Sequence, residues 1–251
     1  MKPDRTINLK DFSFLQTDIH SHLVPGIDDG SGSVEDSLAL LEQLRSMGFR
    51  QFITTPHIKW EKYPNTRETI SNGLQILQNA LQEKNMDITI RAAAEYFLDD
   101  HFLSLLQKNE PLLTIHKNEI LVEFSFYAEP FQPQHTFFKI QTAGYQPILA
   151  HPERYGYYHD KKEAYRSIKD QGVFLQLNLL ALTGYYGKKV QQTSQWLLQE
   201  GLYDYCGTDL HHDKHAEALQ QLAGSKLLHT LQQYTFRNNS IQTSGVPADS
   251  L

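Results

Sequence analysis

The chain has 251 residues, with 23 Lys plus Arg against 29 Asp plus Glu, a net charge of -6 and no block of like charge. That balance argues against a nucleic-acid partner, whose affinity rests on clustered cations set against phosphates. A single cysteine, Cys206, excludes an internal disulfide framework, and no run of about 18 apolar residues marks a membrane span.

Length favours one domain of α/β barrel size. The opening MKPDRTINLKDF has no apolar signal core, so the expected compartment is the cytoplasm, with no membrane insertion. Residues 1–13 read as a polar surface arm, 14–237 as the barrel, and 238–251, polar and poor in aromatics, as a disordered tail.

From residue 14 onward, short β-branched or aromatic runs alternate with stretches of helical spacing, the rhythm of a parallel sheet. The first strand is predicted over 14–23. A helix follows over 33–48, with Ser33 as its cap, Leu38, Leu41 and Leu44 on one face, and Gly48 as its stop. Strand two covers 51–58 and ends in Thr55-Pro56-His57. A helix over 66–84 leads to strand three, 88–97, which ends in Ala94-Glu95-Tyr96. After a helix over 99–109, strand four spans 119–126 and holds Glu123 among apolar neighbours. Strand five, 146–152, runs into His151-Pro152-Glu153-Arg154. Strand six, 173–179, carries Asn178 near its end. A Gly-rich turn and a helix over 188–200 precede strand seven, 203–210, which leads into Asp209-Leu210-His211, and one or two further helices complete the fold.

Six of the seven strand ends carry a histidine or a carboxylate. Strand one supplies His20 and His22, two apart and therefore on one side of an extended chain. The others supply His57, Glu95, Glu123, His151, and Asp209 with His211. Taken singly, each has an ordinary structural explanation: a satisfied histidine, an ion pair, a helix cap. Together, at the carboxyl ends of parallel strands, they would converge on one mouth. Imidazole and carboxylate without thiolate suit Mn²⁺, Fe²⁺ or Zn²⁺, with Co²⁺ and Mg²⁺ as further options. Eight ligands exceed the needs of one ion, so two or three ions bridged by a carboxylate such as Glu95 are expected. Such clusters activate a water and neutralise phosphoryl oxygens. Arg154, three residues past His151, adds a fork that can grip two phosphoryl oxygens; the plainer alternative is a surface arginine paired with Glu153 or Asp160.

The motifs Asp18-Ile19-His20-Ser21-His22, Pro25-Gly26-Ile27-Asp28-Asp29-Gly30, Thr54-Thr55-Pro56-His57, Ala93-Ala94-Glu95, Leu121-Val122-Glu123-Phe124-Ser125, Ala150-His151-Pro152-Glu153-Arg154-Tyr155 and Gly207-Thr208-Asp209-Leu210-His211 resemble those of the bacterial capsule-type protein-tyrosine phosphatases of the PHP (polymerase and histidinol phosphatase) superfamily. The resemblance runs from about residue 17 to 235. It implies a distorted seven-stranded (β/α)7 TIM-like barrel and a trinuclear site of the manganese type. It implies hydrolysis of phosphotyrosine on the tail of a bacterial tyrosine kinase that governs capsule or exopolysaccharide export. It also implies ligand roles for His20, His22, His57, Glu95, Glu123, His151, Asp209 and His211, and phosphate binding by Arg154, which with Asp209 and His211 forms the expected catalytic group. Some relatives carry a second arginine shortly after the last motif, where this chain has His212-Asp213-Lys214-His215, leaving Lys214 or His215 as candidate substitutes.

Other classes fit less well. A cysteine-based phosphatase needs an arginine six residues after its nucleophile, and position 212 is His. A metal-dependent amidohydrolase of the eight-stranded kind would place a lysine where this chain has Glu123. A small-molecule phosphomonoesterase of the histidinol-phosphatase kind shares the ligands and differs only in loops. A pure binding module would be expected to have lost ligands, and none is missing. Trp60, Tyr63, Phe126, Tyr127, Tyr155, Tyr157 and Tyr158 follow strand ends and are candidates to receive a phenyl ring, while Lys59, Lys62 and Arg67 are candidates to attract an anionic peptide. His211, His212 and Asp18 are the general-acid candidates, and Asp18 is more simply read as orienting a ligand histidine. The sequence leaves the oligomeric state open.

Overall fold

The computed structural model describes residues 11–241. Strands and helices alternate along it: β1 (Thr17–Asp18), α1 (Val34–Ser46), β2 (Gln51–Thr54), β3 (His57–Ile58), α2 (Arg67–Glu83), β4 (Thr89–Ala92), β5 (Glu95–Phe97) and α3 (Asp100–Gln107). Then come β6 (Glu119–Glu123), α4 (Pro133–Thr142), β7 (Gln146–Ala150), α5 (Lys162–Asp170), β8 (Phe174–Asn178), α6 (Lys188–Gln199), β9 (Tyr205–Gly207), α7 (Asp213–Ala223) and α8 (Lys226–Gln233). Every strand pairing is parallel. Parallel strands need cover on both faces, and β6 answers with five buried residues, Glu-Ile-Leu-Val-Glu.

The expected closed ring of seven strands is not what forms. The strands make a three-stranded sheet, β1-β2-β4, and a six-stranded sheet, β3-β5-β6-β7-β8-β9. The seven predicted strands become nine segments because two of them break in the middle, at Thr55-Pro56 and at Ala93-Ala94. Pro56 has no N–H to give to a ladder. The upstream halves stay with β1 and the downstream halves pass to the second sheet. Hydrogen bonds still cross the break, from Ala93 N to Thr54 O at 2.9 Å and from Glu95 N to Pro56 O at 3.1 Å. The first and last segments meet beyond their strands: Ser21 bridges Leu210, Asp209 N donates to His20 O at 2.7 Å, and His22 N donates to Leu210 O at 2.9 Å.

Apolar side chains fill two layers. The larger packs the helices on the outer faces of the strands. The smaller joins Ile19, Ile53, Ala93, Ile115, Leu121, Ile148, Ala150, Tyr205 and Ile241. Leu121 and Glu123 stand two apart on β6 and therefore share a face, so the carboxylate sits directly beyond this inner layer.

Ser33 caps α1 as expected, accepting from Asp36 N, but the buried face is Leu40, Leu41 and Leu44, with Leu38 only partly covered. The chain ends differ from expectation where they are described. Phe12, predicted to lie in a surface arm, is fully buried against Phe49. Asn238, predicted to begin a disordered tail, is buried: it donates to Thr17 O and Cys206 O and accepts from Cys206 N, tying the last turn to the sheet. The rest of the predicted tail, 242–251, and the arm's first ten residues lie outside the described residues. No helix among the described residues is long and apolar enough to cross a membrane.

Candidate metal centre and active site

Two strand ends reach the site through strained backbone. His151 has φ 34° and Asp209 has φ 51°, both left-handed, at a cost of about 1–2 kcal/mol each for residues with a Cβ. The turns swing His151 and Asp209 toward side chains from the other strands. Close approach does the rest. A Cβ on Gly30 would lie 2.2 Å from His22 O, and one on Gly207 would lie 2.5 Å from His20 Cβ, so the loop after β1 and the end of β9 press directly on the two histidines.

All eight predicted residues converge, and Glu95 lies at their centre. One of its oxygens, Oε2, is 3.3 Å from His20 Nε2, 3.5 Å from His22 Nε2 and 3.1 Å from His57 Nδ1; the other, Oε1, is 2.9 Å from His151 Nε2. Glu123 Oε1 is 3.4 Å from His57 Nδ1. Asp209 Oδ1 is 3.2 Å from His20 Nε2 and 3.5 Å from both His22 Nε2 and His211 Nδ1. These atoms fall into four overlapping groups, each spanning no more than 4.8 Å: His20, His22 and Glu95; His57, Glu95 and Glu123; His20, His151 and Asp209; and His22, Asp29, His57 and His211.

The donor set fits divalent cations on its hydrogen bonding. Glu95 Oε2, with three imidazole nitrogens around it, has no hydrogen bond, nor do the buried His57 Nδ1 and His151 Nδ1. Buried polar atoms are normally satisfied, and a cation among these converging donors would satisfy them. The tautomers agree. His20 Nδ1–H donates to Gln176 Oε1 at 2.9 Å and His22 Nδ1–H to Asp28 Oδ2 at 2.8 Å, which leaves each Nε2 facing inward. Outer partners of this kind orient metal-bound imidazoles.

Charge is spread unevenly. Burial, with the neighbouring Glu95 carboxylate, holds Glu123 well above the usual carboxylate range. Glu95 is drawn well below it, because the His20 and His57 imidazoles outweigh its burial. Burial pushes His57 and His211 down to about 4, while at His22 the Asp28 carboxylate outweighs burial and raises the ring. A proton on His22 would compete with a cation for Nε2, so metal binding here would release it.

Above these groups lies a cavity of about 360 Å³, lined in part by Glu123, Phe126, Arg154, Tyr186, Asp209 and His211. Arg154 pairs with neither expected partner. Its Nη1 donates to Asp209 Oδ2 at 2.8 Å, and its guanidinium carbon lies 4.5 Å from the Phe126 ring centre and 4.2 Å from that of Tyr186. Glu153 is buried instead, accepting from Asn178 N and Tyr203 OH, and Asp160 pairs with Lys189.

Several expectations need correction. Asp18 bonds to the backbone of His20 and not to a histidine ring: its carboxylate accepts from His20 N at 3.4 Å, Thr208 N at 2.9 Å and Thr208 Oγ1 at 2.8 Å, so it ties β1 to the end of β9, away from the cavity. Lys214 is exposed and does not line the cavity, whereas His212 and His215 do. Burial pushes His215 down to about 3, so it brings a hydrogen-bonding ring and not a second positive charge. Of the seven aromatics named from the sequence, only Phe126 lines the cavity. Tyr155 and Tyr158 are buried, Tyr157 donates to Ser125 O, Trp60 stacks on His101 and Tyr63 on His57, and Tyr127 is 97% exposed. Arg67 is used structurally, donating to Pro111 O and Leu112 O. Cys206 is a free buried thiol, as its apolar strand suggests.

Five contributors received no role from the sequence. Asp28 and Asp29 lie in a turn whose shape no periodicity reveals. Gln176 is two residues before Asn178 on β8 and reads as an ordinary polar strand residue. Asn178 itself, on the one strand end without a predicted ligand, donates to Asp209 Oδ2 at 2.7 Å. Tyr186 follows a Gly-rich turn that gives no sign of folding back over Arg154.

Parallel sheets that gather histidines and carboxylates at their strand ends, under a cavity holding one arginine, define an α/β protein suited to a cluster of divalent cations and an anionic ligand. Residues 16–233 match the family described as capsular polysaccharide synthesis, CpsB/CapC. The chain belongs to that family. It is 27% identical over 195 residues to the putative tyrosine-protein phosphatase CapC of Staphylococcus aureus, covering 77% of this chain and 76% of that protein. It is 27% identical over 210 residues to the tyrosine-protein phosphatase CpsB of Streptococcus pneumoniae, covering 81% and 86%. A solved structure from work on YwqE of Bacillus subtilis and CpsB of Streptococcus pneumoniae, described as unique metal-dependent tyrosine phosphatases, superposes with a TM-score of 0.74 at 25% identity, over 88% of this chain and 96% of the other.

Proposed function

We propose that this chain is a metal-dependent protein-tyrosine phosphatase acting in capsular or exopolysaccharide synthesis, with the phosphotyrosine tail of a bacterial tyrosine kinase as its substrate. The observation that carries the reading is Arg154, a cavity-lining guanidinium fixed against Asp209 beside eight convergent metal-type donors. The names of the relatives agree with it. The seven strand ends, read through the break at Pro56, correspond to a distorted barrel of the PHP type.

His20, His22, His57, Glu95, Glu123, His151, Asp209 and His211 would hold two or three ions, with Asp29 as a ninth donor; manganese suits this set, and iron, zinc, cobalt or magnesium are alternatives. Bound there, such ions supply an activated water and neutralise phosphoryl oxygens. The chain supplies the rest. Arg154 grips the phosphoryl group, and its two ring neighbours and Asp209 keep the fork from swinging away. Hydrolysis breaks the bond between phosphorus and the phenolic oxygen, while the water oxygen ends on phosphorus. The leaving phenolate needs little help, since the parent phenol has a pKa near 10.

A substrate comparison tests this. With manganese supplied, a phosphotyrosine peptide should be hydrolysed at least about tenfold more efficiently, in kcat/KM, than a phosphoserine peptide or histidinol phosphate, a difference of roughly 1.4 kcal/mol in transition-state binding. Preference for histidinol phosphate would replace the proposal with a small-molecule phosphomonoesterase.

A further inference from the structure

We propose that Phe126 makes this site select aryl over alkyl phosphate monoesters. The inference rests on the phosphatase reading and adds a residue that sets the substrate class.

Arg154 is held between two rings, and they are not equivalent. Tyr186 is partly buried, and its hydroxyl accepts from the Asn178 side chain at 3.4 Å, which ties that end of the ring to the protein. Phe126 remains 40% exposed while it borders the same cavity. Its placement is firm for a loop residue. The ring stacks on Tyr155 with centroids 5.6 Å apart, and its centroid lies 5.5 Å from that of His151. Tyr155 is itself buried, its hydroxyl donating to Ala150 O at 3.1 Å and accepting from Phe124 N at 3.0 Å. The ring is thus held between Tyr155 and the guanidinium, and its exposed part borders the cavity.

Geometry turns that surface into a selector. A phosphoryl group gripped by Arg154 lies next to Phe126, because the guanidinium carbon is only 4.5 Å from the ring centre, so an ester group directed to that side of the fork meets the ring. In an aryl ester the ring begins at the next atom and meets Phe126 in an edge or offset contact. An alkyl ester offers a methylene there, followed in phosphoserine by polar backbone. Of the other rings lining the cavity, Tyr186 is bonded to Asn178 through its hydroxyl, and His212 and His215 are polar.

The test separates selection from mere support of Arg154. Competitive inhibition of p-nitrophenyl phosphate hydrolysis by phenylphosphonate and by propylphosphonate is measured on the manganese-loaded full chain and on Phe126→Leu and Phe126→Tyr. Leucine keeps apolar bulk against Arg154 and removes the ring, whereas tyrosine keeps the ring. The wild type should favour the phenyl compound. Phe126→Leu should reduce that preference by roughly fivefold, and Phe126→Tyr should retain it. If the leucine variant keeps the wild-type preference, or if both inhibition constants rise together, Phe126 only supports Arg154 and the proposal is wrong. A metal-loaded wild type that fails to hydrolyse p-nitrophenyl phosphate overturns the phosphatase reading and this inference with it, a result distinct from the preceding ones.

Discussion

His20→Ala should lose both bound metal and activity while keeping its fold. His20 touches two of the carboxylates around which the donors gather, Glu95 at 3.3 Å and Asp209 at 3.2 Å, and it belongs to two of the four donor groups. Its Nδ1–H is committed to Gln176, which leaves Nε2 facing the Glu95 and Asp209 carboxylates and His22. Loss of a ligand shared between groups should cost at least one ion per chain, and phosphate release should drop about a thousandfold, on the scale of several kcal/mol that metal activation supplies. Elemental analysis of the purified variant, with circular dichroism to check the fold, reads both effects. A fully loaded and fully active His20→Ala would remove this residue from the ligand set.

Arg154→Ala should behave in the opposite way toward the metal. The guanidinium contacts Asp209 Oδ2, while Oδ1 faces the histidines, and Asn178 remains to hold Oδ2. Metal content should therefore stay near the wild-type value. The rate should not, because a preorganised donor to a transition-state oxyanion is worth about 100- to 1000-fold in kcat. Arg154→Lys should recover only a small part, since a point charge cannot reproduce the two-pronged grip. Unchanged kcat/KM in Arg154→Ala would take this residue out of phosphate recognition and leave the metals to act alone.

The opposing signatures of these variants follow from where each side chain enters, and that was largely legible in the sequence. Residues at strand ends have positions fixed by a rule of topology, so His57, Glu95, Glu123, His151 and Asp209 group together on sequence alone. The same rule says nothing of residues in connecting turns. Asp28 and Asp29 bond to or border His22 and His57 only because the turn after β1 folds back, and Tyr186 reaches Arg154 only because the turn after β8 does. The strand count was right as a count of chain passages and wrong as a closed ring, since Pro56 interrupts one ladder and Ala93-Ala94 the next. Helices α4 and α5 are absent from the sequence-based expectation, although each buries two apolar side chains on one helical face, Phe137 with Ile140 and Tyr165 with Ile168. Asp18 was misread because its face was inferred from an ideal strand, whereas β1 stops at that residue and the chain beyond it is irregular.

Phosphate release from a phosphotyrosine peptide, followed before chelation, after chelation to a verified absence of divalent metal, and after manganese is returned, bears most directly on the proposed chemistry. The expected course is a rate that falls at least about a hundredfold on chelation and returns with manganese. An undiminished rate in the chelated protein would contradict the assignment of His20, His22, His57, Glu95, Glu123, His151, Asp209 and His211 to a catalytic metal centre.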